Sequence, residues 1–183
     1  MLLRPEFIKA QEILALLPHK APTSTRFVGH RDSLQGVEGV TIVAVIDRAA
    51  RFEPYGLTQD MLHTQVAQSL QNLGISVRSP QTRTERTASL SVHLRLAEIP
   101  SPQSGQITAL SGSLNLKLEQ TVELPSLPNG SAPRTCAATT WDTGGIVVWG
   151  TRHCREGLNE AIEVFATQFS QAVKKANSGP VQE

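Results

Sequence analysis

Between Leu110 and Leu124 the chain sets an apolar residue or glycine at nearly every second position: Leu110, Gly112, Leu114, Leu116 and Leu118, then Val122 and Leu124. Ser111, Ser113, Asn115, Lys117, Glu119 and Glu123 fill the positions between. A helix would scatter these leucines around its circumference, whereas an extended strand collects them on one face and turns the polar row to the other. The closing segment carries a different period. Leu158, Ala161, Ile162, Phe165, Phe169, Ala172 and Val173 recur at spacings of three and four, giving the wide apolar stripe of a helix packed on one side. Strand and helix are expected to share one interior.

Around these two elements the remaining segments fall into an α+β order. Val40-Thr41-Ile42-Val43-Ala44-Val45-Ile46 is β-branched and apolar on both faces, which predicts a strand covered on both sides. Thr58 is placed as an N-cap with Leu57 and Leu62 as a hydrophobic staple. The helix it opens presents Leu62, Val66, Leu70 and Leu73, and Gly74 stops it. Ile75-Ser76-Val77 reads as a short strand, completing a β-α-β start. Leu90, Val92, Leu94 and Leu96 alternate with Ser91, His93 and Arg95 as a half-buried strand. Thr135–Trp141 and Ile146–Trp149 form a last strand or strand pair, parted by the turn-like Asp142-Thr143-Gly144-Gly145. The expectation is a mainly antiparallel sheet of about five strands, a β-α-β start and a C-terminal helix on one face. Residues 1–36 read as an N-terminal helix and arm, 37–177 as a single domain, and 178–183 as a flexible tail.

Charge narrows the partners. Of 183 residues, 17 are basic and 16 acidic, a formal net charge of +1, which lacks the basic face that nucleic acid requires. The apolar run Ile13–Leu17 is far short of the ~20 residues a membrane span needs. Glu6 and Glu12 stand where a signal peptide would carry a positive and an apolar region, so the chain as written is expected to be cytoplasmic. A start further upstream that added a signal would move it to the periplasm or envelope and allow a Cys136–Cys154 disulfide.

No catalytic, cofactor-binding or metal-binding residue can be assigned from the pattern. His19, His30, His63, His93 and His153 lack the spacing that aims two ligands at one ion. Gly144-Gly145 and Gly150 flank a strand rather than opening a helix, so they do not form a phosphate loop. Trp141 and Trp149 read as aromatics anchoring the sheet against a helix, ahead of a binding surface. Cys136 alternates with Ala138 and Thr140 and reads as a small packing residue. Cys154, beside His153 near a helix start, is the one arrangement that points to thiol chemistry, and it predicts a depressed thiol pKa. Two functions follow as expectations. The first is a non-enzymatic binding or assembly module engaging a protein partner through a sheet edge or the polar face of the long strand. The alternative is a small thiol-dependent enzyme or redox sensor using Cys154 and His153.

Ser33-Leu34-Gln35-Gly36-Val37-Glu38-Gly39-Val40, Tyr55-Gly56-Leu57-Thr58-Gln59-Asp60-Met61-Leu62, Leu70-Gln71-Asn72-Leu73-Gly74-Ile75 and Thr139-Thr140-Trp141-Asp142-Thr143-Gly144 occur in that order, before a closing helix ending near Asn177. Over residues 33–177 this resembles an uncharacterised family of small bacterial proteins, often signal-peptide-bearing, with GLT-helix-GI and TTW-x-TG motifs. The resemblance implies an exported protein and supplies no catalytic residue. The chain departs from the pattern in its acidic, non-signal start and its Pro-rich insertion before the Trp strand.

Overall fold

A computed structural model describes residues 34–37, 39–79, 88–124 and 134–178. The N-terminal helix expected before Pro18, the loops at 80–87 and 125–133 and the tail beyond 178 lie outside the described residues.

Four strands form one mixed sheet in the order β1-β2-β3-β4: β1 (Val40–Ile46), β2 (Ala88–Pro100), β3 (Ile107–Leu124) and β4 (Arg134–Gly150). β1 runs parallel to β2, with Ile42 beside Leu90, and the other two pairings are antiparallel. Two helices, α1 (Gln59–Asn72) and α2 (Cys154–Asn177), complete the fold. The α+β class, the C-terminal helix and the long strand at 107–124 agree with the sequence reading.

Four expectations need correction. Among the described residues the sheet has four strands, not about five, because Val77 makes only a single parallel bridge to Val40 where a returning strand was expected. The parallel partner of β1 is instead β2, reached after α1, so the crossover spans more chain than foreseen. Asp142-Thr143-Gly144-Gly145 is not a turn: β4 runs through it in register with Leu114–Lys117 of β3. Finally, β1 is fully covered on one face, while on the other Thr41 is buried, Val45 half-buried and Val43 open. Val40, Ile42, Ala44 and Ile46 are buried, whereas Val43 on the other face is 46% exposed.

The core lies between the sheet and the helices. Leu114, Leu116 and Leu118 of β3 and Leu90, Val92 and Leu94 of β2 are fully buried there, with Leu158, Ile162 and Phe169 from α2. Trp141 meets Phe169 with ring centroids 5.0 Å apart, and the Trp149 indole lies against Gly157, so both tryptophans anchor β4 to α2. Thr58 caps α1 by accepting a hydrogen bond from Met61 N, with Leu57 and Leu62 both fully buried beside it. Gly74 ends that helix with φ of 82°, a conformation that costs a Cβ-bearing residue energy.

At the far end of α2, Asn177 ties in the start of the described chain. Its side-chain oxygen accepts from Gly36 N at 2.9 Å, and its amide group reaches Leu34 O and Val173 O. Leu34 is buried by that attachment.

Candidate functional site

The structure separates the pair that pointed to thiol chemistry. Cys154 begins α2 with its thiol buried, 3.3 Å from Thr151 O and 3.4 Å from Tyr55 O. Burial pushes the thiol pKa up, against the depression that a nucleophile needs. His153 turns away, its Nδ1 lying 3.0 Å from the Glu156 carboxylate in solvent. Cys136 is exposed on β4, about fourteen residues of extended chain from the start of α2. At ~3.3 Å per residue that is on the order of 40 Å, far beyond the Cα separation a disulfide spans, so no bridge between the two forms within one chain of this fold.

Near Cys154 a polar link joins the loop after β1 to the end of β2. Arg51 Nε donates to Glu98 Oε2 at 3.0 Å, Arg51 also engages that oxygen through a second guanidinium nitrogen, and Tyr55 Oη donates to Glu98 Oε1 at 3.0 Å. These bonds, Arg51 first and Tyr55 second, hold the Glu98 carboxyl below its ordinary pKa. Burial first, then the bond to Glu98, raises the Tyr55 phenol. Each carboxylate oxygen is committed to a structural donor, so the cluster acts as a clasp.

The sheet face opposite the helices carries the other polar cluster. Ser91, His93 and Arg95 from β2 and Asn115, Lys117 and Glu119 from β3 line a shallow groove of about 370 Å³. Strand alternation puts them there, on the side the leucines leave vacant. Arg95 pairs with Asp47 at 3.1 Å, both well exposed, an ion pair of small energetic weight. Lys117 and Glu119 add opposite charges, so the groove has mixed sign and no convergent set of acids or bases. Of the sequence-predicted histidines only His93 lies in it. Among the described residues no group of three or more His, Cys, Asp or Glu is placed to hold a metal ion. No helix among them is long and apolar enough to cross a membrane.

The feature least visible in the sequence is the outer border of β4. Among the described residues β4, 17 residues long, pairs with β3 alone. Ile146 is 80% exposed and Val148 47% exposed on the open face next to that border. A signal for it did exist in Ile146-Val147-Val148-Trp149, which puts apolar side chains on both faces where only one face has a helix to cover it.

No known family model and no curated protein sequence matches the chain. Among solved structures it is similar to a dodecamer of a PelC point variant from Paraburkholderia phytofirmans, with 11% identity and a TM-score of 0.45, covering 78% of this chain and 90% of that one. It is also similar to a minor lipoprotein from Acinetobacter baumannii, with 13% identity and a TM-score of 0.31 over 75% of this chain and 92% of that one. Likeness at this level carries no argument about activity.

Proposed function

We propose that this chain is a non-enzymatic binding or assembly module that takes a protein partner by strand addition along β4. The observation that carries the reading is the contrast between the two borders of the sheet. The β1 border is short and partly closed: Val40 N donates to Ser76 O at 2.9 Å and Arg78 N donates to Val40 O at 2.9 Å. The β4 border is long, holds no proline, and carries Asp142 as its one charged residue after Arg134. Its register against β3 shifts once, beside Leu118 and Glu119, and then runs regularly from Trp141 to Gly150. Natural sheets protect such borders with lysine, proline or a bulge unless another strand covers them. Strand addition would satisfy the free main-chain groups, and Ile146 and Val148 would supply apolar anchors. A partner at β4 would also lie beside the polar groove, whose mixed charges suit side chains of a protein rather than a polyanion.

The test is a photo-reactive amino acid placed at position 146 and activated in cells expressing the chain. A discrete adduct of defined mass is expected, reduced when Val148 is changed to lysine in the same chain. Absence of any adduct overturns the reading.

A further inference from the structure

Resting on that reading of β4, we infer that the partner is a second copy of this chain, joined β4 to β4 about a two-fold axis passing through Val147. The direction of the main-chain groups restricts the register. Thr151 N donates to Thr108 O of the β3 side at 3.1 Å. Because N–H and C=O alternate in direction along a strand, Asp142, Gly144, Ile146, Val148 and Gly150 turn theirs to the free border. An antiparallel pairing of two such borders must set these residues opposite one another, so the axis passes through a residue and not between two.

Charge then selects among the central residues. With the axis at Val147, Ile146 lies opposite the partner's Val148, and the same contact recurs across the axis. Gly144 lies opposite the partner's Gly150, the last residue of β4, and Asp142 comes beside the turn that follows it, which carries the partner's Arg152, at both ends. Moving the axis to Ile146 puts Asp142 opposite glycine, and moving it to Val148 carries Asp142 beyond the turn to the level of the partner's Cys154, where α2 begins. Asp142 and Arg152 are exposed and neither belongs to an ion pair among the described residues.

The helix layer points the same way. Gly157, Val164 and Gln168 fall on one stripe of α2, seven and four residues apart. Gly157 lies against Trp149, and Thr143 Oγ1 donates to Gln168 Oε1 at 2.9 Å, so this stripe overhangs β4. Val164 on it is 48% exposed. Ile146, Val148 and Val164 are thus three of the five large apolar side chains exposed among the described residues, and all three flank the same border. The dimer is one eight-stranded sheet with every helix on one face and two polar grooves on the other.

Light scattering at concentrations up to about 100 μM is expected to show a dimer. I146K should shift it toward monomer by ~10-fold or more in Kd, while the urea midpoint measured well below that Kd, where the side chain is in water in both chains, should not move. D142R and R152D should each weaken the dimer by roughly 2- to 30-fold, two exposed ion pairs being lost, and the double variant should restore it. In a C136S background, I146C chains mixed with V148C chains should cross-link to each other in preference to themselves. A wild-type monomer throughout the range overturns the inference, as does a double charge variant no tighter than the singles or cross-linking without the mixed preference. A monomeric chain whose position-146 adduct has another mass overturns the second copy alone and leaves strand addition standing. A dimer indifferent to I146K overturns the inference, and if that chain gives no adduct at position 146, strand addition falls with it.

Discussion

One strand, β3, belongs to two different surfaces. On its inner side Leu114, Leu116 and Leu118 are fully buried beneath the helices. One position along in each case, Ser113, Asn115 and Lys117 stand on the side that no described element covers. Backbone, twist and hydrogen bonding are common to both, so the contrast isolates what side-chain burial contributes. The inner face holds the domain together by excluding water from leucine, and the outer face is released from that duty. Residues on it can vary with what the protein contacts.

The sharpest test of this contrast is a pair of truncations on neighbouring residues. Leu116→Ala should cost about 2–5 kcal/mol, from lost apolar burial plus the cavity left behind. Lys117→Ala should stay within about 0.5 kcal/mol. Urea denaturation measures both. A comparable loss at Lys117 would break the comparison, because it would mean that the open face is packed against something.

The two cysteines sample the same difference chemically. Cys136 is exposed, whereas the Cys154 thiol is buried with a raised pKa. Alkylation of the native chain should modify Cys136 at least ~10-fold faster, and the rates should converge on unfolding. Faster modification of Cys154 would revive the thiol reading.

A smaller effect is expected at the cap of α1. Thr58→Ala removes the acceptor for Met61 N and should cost about 1 kcal/mol, again by urea denaturation. A cost near zero would show that burial of Leu57 and Leu62 alone fixes the start of the helix.

The smallest and most conditional effect belongs to Glu98, at the margin of the covered face. Its folded pKa lies below the ordinary value of 4.5, so the clasp stabilises the native state above that pH. Its contribution is lost as pH falls through the lower folded value. The gap in urea midpoint between wild type and Glu98→Gln should therefore be present at neutral pH and close on acidification. A gap that widens toward acid would reverse the assigned direction.

Much of the covered face was legible from residue order. The period of two in Leu110–Leu118 survives tertiary contacts because shifting it by one position would put every leucine in water. The Thr58 cap and the Gly74 stop are local as well, being decided by a few neighbouring backbone angles. The route of β4 was not legible, since Asp142-Thr143-Gly144-Gly145 has the composition of a turn. Pairing with β3 overrides that preference, and the glycines answer to space: a Cβ at Gly144 would collide with the Asn115 side chain, and one at Gly145 would press within 3.3 Å of Phe165. The clasp of Arg51 and Tyr55 on Glu98 joins residues more than forty positions apart, which no local pattern reports.

By itself, then, the amino-acid order determined which residues leave water and which elements they build, because burial and backbone preference act over a few neighbouring positions. Tertiary structure alone decided that β1 lies beside β2, that no described element covers one side of the sheet, that Cys154 is shut away from His153, and that β4 is the last strand among the described residues. Each of those depends on how distant segments share a limited amount of contact surface. That allocation is settled only when the whole chain has closed on its core.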